Sequence, residues 1–473
     1  MKPSKNLALK VLLVLVTCLV YANALTGPFL FDSGPLTVGD ARTHELSLDN
    51  ARAILTQNYW GARFASGLYR PVTTFSYAVD YALWGELSPG YHATNLLFHS
   101  IAVLLGFGVA LAVTGSAAPA FWIACLWAVH PINTEVVTNI AGRPDLIATI
   151  SVFAGFLLYQ KRWRWALFGV AILGCFAKES AAMLLGLVLL FDWHRRRRPD
   201  WRGLAAIAIP VGGILSSRFF LTPMVLPFVD NPLIALAFPQ RQFAALGVLG
   251  KAAGLWFWPA TLSADYSFSQ IPVIKCPEFA VFLSIGLILL AVAVAWQRRS
   301  AGFWALLALS LAVPTSNLIF PIGSIFGERF LYLPGFALAG LVVVFLTRLS
   351  KTNPRTLFAA LIILSALSGA RTISRNADYS DELRFWRATA EASPDSFKPQ
   401  AELAIQEFER GHLQEALSHS ERAQAILADL PERYSEPLTY ARAYQYYAAS
   451  GDQEKARTAA DKAARIMNTQ RNR

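Results

Sequence analysis

The stretch Phe279-Ala-Val-Phe-Leu-Ser-Ile-Gly-Leu-Ile-Leu-Leu-Ala-Val-Ala-Val-Ala-Trp296 decides the class of fold, because 18 consecutive residues carry no charge. An apolar run of about 20 residues can cross the hydrocarbon core of a bilayer as an α-helix. The run is followed by Arg298 and Arg299, and a basic pair in this position is typical of the cytoplasmic end of a span. The stretch therefore predicts a membrane-spanning helix and an integral membrane protein.

Apolar runs of similar character recur along residues 1–370, which we predict to form an all-α, polytopic membrane domain. The chain is 55% hydrophobic and only 15% charged, whereas an ordinary soluble domain has about 25% charged residues. The first run follows Lys2, Lys5 and Lys10 and lacks a clear cleavage site, so we interpret it as a retained anchor. The 11 predicted spans lie near residues 8–25, 93–113, 118–131, 145–160, 163–177, 180–193, 203–219, 278–296, 301–319, 331–347 and 355–370.

Basic and acidic residues divide between the two predicted faces of the membrane domain and set its orientation. With the N-terminus in the cytoplasm, the cytoplasmic face holds 16 of the 27 Lys and Arg residues of 1–370. These are Lys2, Lys5, Lys10, Lys161, Arg162, Arg164, Arg195–Arg198, Arg202, Arg298, Arg299, Arg348, Lys351 and Arg355. We treat the apolar segment 241–262 as a re-entrant or interfacial element, which places the C-terminus outside. The net charge of +11 thus reflects orientation and predicts no nucleic-acid partner.

Residues 371–473 are rich in Ala, Glu, Gln and Arg, and we predict a separate helical domain outside the cytoplasm. Gly411-His-Leu-Gln-Glu-Ala416 aligns with Gly451-Asp-Gln-Glu-Lys-Ala456 at an offset of 40 residues. In each stretch the glycine begins a turn between two helices and the alanine lets those helices approach closely. The pattern is typical of tetratricopeptide-like (TPR-like) helix hairpins, whose concave surfaces bind extended peptides. A generic alanine-rich helical bundle is the alternative interpretation.

Acidic residues in the predicted outer loops are candidates for a catalytic base. Asp32 follows the first span and Asp40 comes soon after it. A carboxylate at the water–lipid boundary is well placed to deprotonate an acceptor hydroxyl that meets a lipid-borne substrate. The alternative role for Asp32 is a helix cap.

Cations in the same loops are candidates for binding the phosphate of such a lipid, because negative charge develops there as the bond to the phosphate breaks. Each cation has a structural ion pair as its alternative role, for example Glu328 with Arg329. The predicted phosphate ligands are Arg143, Lys178, Arg218, Arg241 and Arg329. The predicted supporting residues are Arg70, His92, His130, Glu135, Glu179, Asp265, Glu328 and Tyr332. Together these residues favour a functional cavity, since ionisable groups between spans are costly unless they line hydrated space.

Short polar motifs follow one another in order along nearly the whole chain. They are Tyr69-Arg-Pro71, Trp84-Gly85, Gly90-Tyr-His92 with Asn95 and His99, His130-Pro131 with Glu135 and Gly142-Arg143, Lys178-Glu179, Asp230-Asn-Pro232, Pro259 with Leu262-Ser263 and Asp265-Tyr-Ser267, Pro314 with Asn317, Glu328-Arg329 with Leu331-Tyr-Leu-Pro334, and Arg375-Asn376. In this order they resemble the TMTC family, the transmembrane and tetratricopeptide-repeat protein O-mannosyltransferases of the GT-C type.

The resemblance implies a GT-C fold and a glycosyltransferase that inverts the sugar carbon. It implies a polyprenyl-phosphate-linked sugar as donor, a protein hydroxyl as acceptor, and Asp32 as the catalytic residue. The family usually has an Asp-Asp pair, whereas this chain has Ser33, and Asp40 is the candidate for the missing acid. The short, arginine-rich and alanine-rich chain suggests a bacterial inner-membrane protein that faces the periplasm and uses undecaprenyl phosphate.

Two other classes of function stay open at this point. A non-catalytic TPR membrane scaffold for envelope protein assembly draws its best support from Ser33. A flippase for lipid-linked sugars is disfavoured because the predicted spans offer few charges away from the outer face. The four cysteines, Cys18, Cys125, Cys175 and Cys276, form no C-x-x-C pair, and we predict neither a metal nor another cofactor. The predicted partners are the lipid-linked sugar, a protein acceptor held by the TPR-like tail, and membrane lipids.

Overall fold

The computed structural model describes residues 3–61, 67–221, 226–272, 279–297, 300–349 and 353–471, and the regular structure in these ranges is entirely helical. The predicted all-α class is thus confirmed. The first helices are α1 (Pro3–Tyr21), α2 (Ser33–Leu36), α3 (Leu48–Thr56), α4 (Pro71–Trp84), α5 (Ser88–Thr114), α6 (Ala117–Ala128), α7 (Thr134–Val137), α8 (Arg143–Lys161), α9 (Arg164–Cys175), α10 (Met183–His194) and α11 (Trp201–Leu221). They are followed by α12 (Gln240–Phe257), α13 (Phe279–Trp296), α14 (Ser300–Ala312), α15 (Tyr332–Leu349) and α16 (Pro354–Ala377). The C-terminal helices are α17 (Glu382–Ala392), α18 (Phe397–Glu409), α19 (Leu413–Leu427), α20 (Pro437–Ser450) and α21 (Gln453–Arg471).

Each predicted span overlaps a helix, but fewer than 11 helices are long and apolar enough to cross a bilayer unaided. Five described segments meet that requirement, and a sixth does so if a pair bent by 53° is one span. The five are Asn6–Ala24, Ser88–Thr114, Ile140–Lys161, Glu328–Leu349 and Pro354–Ala377, and the bent pair joins Ala117–Ala128 to Pro131–Val137. The chain is an integral membrane protein with several apolar helices, and the count of 11 spans stays a prediction. Among the described helices, α12 covers most of segment 241–262 and is not one of the five.

The helices group into two compact units that do not divide the chain at a single point. Unit 1 comprises residues 1–225, 283–315 and 329–380. Unit 2 comprises residues 226–282, 316–328 and 381–473. The predicted domain boundary between residues 370 and 371 stays a prediction.

The core of unit 1 is aromatic where α6, α8 and α15 meet. The ring of Phe336 lies 4.7 Å from that of Phe153 and 5.6 Å from that of Trp127, and all three side chains are buried. Since a buried indole N–H needs an acceptor, Trp127 donates a 2.7 Å hydrogen bond to the carbonyl of Tyr332. This packing fixes the N-terminal end of α15, which begins at Tyr332.

Unit 2 contains the C-terminal helices, which pair as hairpins. Gly411 and Gly451 follow α18 and α20 with φ of +80° and +84°, a left-handed conformation that glycine adopts without strain. Ala416 and Ala456, at the starts of the next helices, are fully buried. The predicted turns are thus present, and the assignment to the TPR class stays a prediction. The core of the hairpins also includes Val229, from a segment outside the predicted tail.

Replacing Gly451 by alanine is expected to lower the stability of the chain by about 1 kcal/mol, because alanine is strained at a φ of +84°. No described atom lies within 4 Å of the added Cβ, so the loss reflects the backbone alone. The measurement is the thermal unfolding midpoint of the purified full chain. Gly254→Ala within α12 is the matched control, since the added Cβ also meets open space. Its unfolding midpoint should be unchanged or higher, because alanine favours a helix more than glycine does. Equal midpoints for the two variants would contradict the assignment of strain.

Candidate functional site

An ion pair between Lys178 and Asp145 joins the two ends of the α8–α9 hairpin in unit 1. Lys178 Nζ lies 2.6 Å from both carboxylate oxygens of Asp145, and the side chains are only 8% and 11% exposed. Asp145 occupies the first turn of α8, where the helix dipole favours a negative charge. Burial lowers the pKa of Lys178, and the charge of Asp145 offsets this shift only in part. The pair therefore stabilises two charges that neither side chain could hold alone in this setting.

A second pair lies beside the first and joins Arg70, at the start of α4, to Glu179. Arg70 Nη2 is 3.2 Å from Glu179 Oε2, and the guanidinium lies 5.2 Å from the ring centre of Tyr59. Burial acts to lower the pKa of Arg70, but the negative charges of Glu179 and Asp145 outweigh it and raise the pKa above its ordinary value. Arg70 thus stays charged and electrostatically coupled to the first pair.

The third pair connects Glu135, in α7, with Arg329 at the approach to α15. The backbone N–H of Arg329 donates a 2.8 Å hydrogen bond to Glu135 Oε2, and its guanidinium donates to Oε1. Glu135 is 4% exposed whereas the Arg329 side chain is 35% exposed. Arg329 is therefore more accessible than Lys178 or Arg70, and Glu135 is a direct partner of its guanidinium.

Asp32 lies on a strained turn between α1 and α2. The residue before it, Phe31, has a φ of +49°, which is unusual for a bulky side chain and typical of functional sites. Asp32 occupies the N-cap position of α2, yet within this described turn its side chain accepts no cap hydrogen bond from α2. This geometry disfavours the helix-cap role.

Glu135 is the direct partner of the Arg329 guanidinium, and the negative charges of Asp145 and Asp32 make smaller electrostatic contributions to it. The structure thus brings together seven ionisable residues of unit 1, which we name the charge cluster. They are Asp32, Arg70, Glu135, Asp145, Lys178, Glu179 and Arg329. Such a cluster can take up a proton at a carboxylate and hold a phosphate at a cation, which are the two demands of transfer from a lipid phosphate.

Ser33 and Asp40 take structural positions near Asp32. Ser33 is buried, and its hydroxyl donates a 2.8 Å hydrogen bond to Asn139 Oδ1, which ties α2 to the turn before α8. Asp40 Oδ2 lies 2.6 Å from Arg42 Nη2, and the same arginine donates to the carbonyl of Tyr59. The geometry favours a structural role for Asp40, and its predicted role as second acid stays untested.

Arg143 is buried, and its guanidinium is surrounded by side-chain partners from other helices. Its Nη2 lies 2.5 Å from Asp80 Oδ2, its Nε donates a 2.8 Å hydrogen bond to Asn95 Oδ1, and its guanidinium lies 4.6 Å from the Tyr77 ring centre. The side chain is 0% exposed. A contact with a donor phosphate would require this buried pair to break, so the geometry favours a structural role over the predicted one.

Three predicted supporting residues of unit 1 hold its backbone in place. His92 Nε2 lies 3.0 Å from the carbonyl of Gly27. His130 accepts a hydrogen bond through Nδ1 from the backbone N–H two residues on. The hydroxyl of Tyr332 lies 2.7 Å from Nδ1 of His99. All three are buried, so we assign them to the framework of the site.

The predicted site residues of unit 2 form a local network there. Glu328 is fully buried, and its Oε1 accepts from the backbone N–H of Ser263 at 2.5 Å and from the hydroxyl of Tyr266 at 2.8 Å. Asp265 Oδ2 accepts from the hydroxyl of Ser396 at 2.5 Å, which holds its loop to the residue before α18. The two remaining cations are Arg241, at the start of α12, and Arg218, in α11, whose side chain lies outside the described part of the chain.

Sequence reasoning missed two members of this region. Asp145 lies in a dense polar stretch, two residues after Arg143, and is not among the residues predicted for the site. Its signal was the position of an acid in the first turn of an apolar helix. Tyr59, which is buried under Arg70, offered no signal in the sequence.

Comparison with known proteins finds relatives among the protein O-mannosyltransferases, although no family model matches the chain. The chain is 27% identical to a protein O-mannosyl-transferase of Caenorhabditis elegans over 82% of this chain and 58% of that protein. It is 25% identical to Tmtc3 of Drosophila melanogaster over 90% of this chain and 56% of that protein. It is 26% identical to TMTC4 of Homo sapiens over 80% of this chain and 61% of that protein. The chain therefore spans about three-fifths of the length of these relatives.

Among solved structures, the oligosaccharyltransferase of Archaeoglobus fulgidus, tethered to an acceptor peptide, aligns with 88% of this chain and 59% of that one. The alignment has a TM-score of 0.43 and 12% sequence identity. By distant sequence homology, the chain is related to the TMTC protein O-mannosyltransferases, the family that its ordered motifs resemble.

Proposed function

We propose that the chain is an inverting membrane glycosyltransferase that moves a hexose such as mannose from a polyprenyl-phosphate donor to a hydroxyl of a protein acceptor. The observation that carries the proposal is the geometry of the charge cluster, in which Asp32 lies on a strained turn and Arg329, held by Glu135, is the most exposed cation. A base and a phosphate-binding cation in one cluster are the minimum that this transfer requires. Distant homology to protein O-mannosyltransferases supports the class of sugar and acceptor.

In the proposed reaction, Asp32 accepts the proton of the acceptor hydroxyl. At the same time, the oxygen of that hydroxyl forms a bond to the anomeric carbon of the sugar. The bond from that carbon to the phosphate oxygen breaks on the opposite face of the sugar, which inverts the configuration. The bonding electrons leave with the polyprenyl phosphate, which gains one negative charge. A planar guanidinium can bind two phosphate oxygens at once, so Arg329 stabilises the charge that develops there.

The other charged pairs of the cluster hold this arrangement in place. Glu135 binds both the backbone and the guanidinium of Arg329, so we assign it as a positioning residue. Lys178 and Arg70 are the less exposed cations, each engaged with a carboxylate. Their positive charges add to the field at the phosphate without direct contact being required.

We place the reaction at the extracytoplasmic face of a bacterial inner membrane, in line with the distribution of charge in the sequence. The donor lipid is then undecaprenyl phosphate. The helix hairpins of unit 2 are proposed to hold the acceptor protein, since stacked hairpins offer an extended concave surface. Ser33 does not conflict with this mechanism, because one carboxylate is enough to accept one proton.

Asp32→Asn is expected to lower sugar transfer by about 100-fold to 10,000-fold, because the amide cannot accept the proton. The measurement is mass spectrometry of glycopeptides from envelope proteins of cells that lack their own copy and express the variant. Asp49→Asn is the matched control, since Asp49 is exposed in α3 of the same outer stretch and should leave transfer unchanged. Full transfer by Asp32→Asn would place the base elsewhere. Identical glycans in cells with and without the chain would favour the scaffold.

Arg329→Gln is expected to lower kcat by about 100-fold to 1,000-fold with a smaller change in KM, because the lost interaction strengthens as the phosphate gains charge. The measurement is transfer from undecaprenyl-phosphate mannose by the purified full chain in nanodiscs. Arg355→Gln, an exposed cation at the start of α16, is the charge-matched control. Arg329→Gln alone leaves Glu135 buried without its cation. The double variant Arg329→Gln/Glu135→Gln removes this unpaired acid. If this double variant regained the wild-type kcat, Arg329 would be a structural residue.

Lys178→Met is expected to destabilise the chain by about 3–5 kcal/mol, because it leaves Asp145 buried without its cation. Adding Asp145→Asn to the same chain should recover most of that stability, since no uncompensated charge remains. The thermal unfolding midpoint of the purified chain reports both effects. A double variant as unstable as the single one would show that the cost lies in packing and not in the ion pair.

A further inference from the structure

A strongly basic surface lies at the far end of α8 from the charge cluster. Helix α8 has 19 residues and is thus about 28 Å long, close to the thickness of a bilayer core. Asp145 of the charge cluster is in its first turn, and Lys161 ends its last turn. Residues 161–164, around the turn after α8, and residues 195–202, around the connection between α10 and α11, together carry eight Lys and Arg residues. The mechanism proposed above uses none of them.

Hydrogen bonds join the turn after α8 to the α10–α11 connection and form one surface. The hydroxyl of Tyr159 donates to Asp192 Oδ2 at 2.6 Å and accepts from the backbone N–H of Asp200 at 2.9 Å. Arg164 then binds both carboxylate oxygens of Asp200 at 3.1 and 3.2 Å. Asp200, the single acid between α10 and α11, is therefore already neutralised by one arginine.

The remaining arginines of this surface are exposed and in excess. Arg162, Arg196 and Arg198 are all exposed to solvent, with Arg202 beside them in α11. Arg162 and Arg196 have φ of +58° and +53°, a left-handed conformation that favours glycine or asparagine. Two arginines in that conformation cost local stability, so their side chains are expected to serve another purpose.

Three tryptophans accompany these arginines. The side chains of Trp163, Trp165 and Trp201 are 59%, 89% and 73% exposed, which is unusual for so large an apolar surface. An open cleft of about 370 Å³ is lined by Arg162, Trp163, Arg164, Trp165 and Ala166. Tryptophan is enriched where a membrane meets water, because its ring is apolar and its N–H is polar. The setting therefore matches the headgroup layer of a bilayer.

We propose that Arg162, Arg196 and Arg198, with Trp163, Trp165 and Trp201, form a binding surface for the headgroup of an anionic phospholipid. The headgroup phosphate pairs with the arginines, and the tryptophans lie among the glycerol and upper acyl atoms. Unbalanced positive charge next to exposed tryptophan, at one end of a span, favours a lipid over a soluble anion. This surface is independent of the proposed transfer reaction.

The test is native mass spectrometry of the purified full chain in detergent, titrated with short-chain phosphatidylglycerol or short-chain phosphatidylcholine. The wild-type chain should bind phosphatidylglycerol at least about tenfold more tightly. Arg162→Gln/Arg196→Gln/Arg198→Gln should weaken phosphatidylglycerol binding at least about tenfold, because each basic residue contributes to the attraction. The charge-matched control is Arg52→Gln/Arg422→Gln/Arg457→Gln, whose residues are exposed elsewhere, and it should bind like wild type.

Three results would overturn the proposal. One is equal binding of the two lipids by the wild-type chain, and another is undiminished phosphatidylglycerol binding by the patch variant. The third is displacement of phosphatidylglycerol by millimolar inorganic phosphate, which would make the surface a general anion site. Trp165→Ala distinguishes a lipid site from a general anion site. This variant keeps the charge of the surface, yet it should weaken phosphatidylglycerol binding several-fold. The unfolding midpoint without lipid, unchanged in all variants, confirms that each remains folded.

Discussion

Removing one partner of a buried ion pair is strongly destabilising, and three such pairs organise the region of unit 1 around the charge cluster. Asp145 meets Lys178 across the α8–α9 hairpin, Glu135 meets Arg329 at the approach to α15, and Asp80 meets Arg143. Each pair joins segments that are distant in sequence, so the pairs fix the relative positions of the helix ends. The same pairs decide which cation can serve a substrate. Arg143 is sealed by its partners, whereas Arg329 keeps about a third of its side chain exposed.

The turn that carries Asp32 is anchored through the residue that follows it in the sequence. Ser33, one residue on, is anchored to Asn139, and Asn139 belongs to the turn that leads into α8 and Asp145. The loop carrying the proposed base is thereby tied to the helix that carries the Lys178 partner. The strain at Phe31 is tolerated because this anchoring determines the backbone on the other side of Asp32. Ser33 thus has a structural function that a second carboxylate would not fulfil in the same way beside Asn139 Oδ1.

Much of the helical framework could be predicted from the sequence, because apolar runs and their breaks are local signals. Helix α6, in the predicted span 118–131, ends at Ala128, before Pro131. Helix α14, in the predicted span 301–319, ends at Ala312, before Pro314, because proline removes a helical hydrogen bond. Ion pairing could not be predicted, because it depends on which helix ends meet in space. Arg143 and Asp145 are two residues apart, yet they pair with different segments, Arg143 with Asp80 in α4 and Asp145 with Lys178 in the turn after α9. Val229 in the core of the hairpins was missed for the same reason.

The two ends of α8 show how unevenly the net charge of +11 is distributed over the chain. At the N-terminal end, three cations of the charge cluster face four acids, so this region carries almost no excess charge. At the C-terminal end, Asp200 pairs with Arg164, and the Lys and Arg residues of 161–164 and 195–202 outnumber the acids there. A helix about as long as a bilayer is thick separates the two environments. Half of the 16 basic residues predicted for the cytoplasmic face therefore lie at the C-terminal end of α8. At the other end the charges of the cluster nearly cancel, so an added phosphate would meet Arg329 in a region of little net charge.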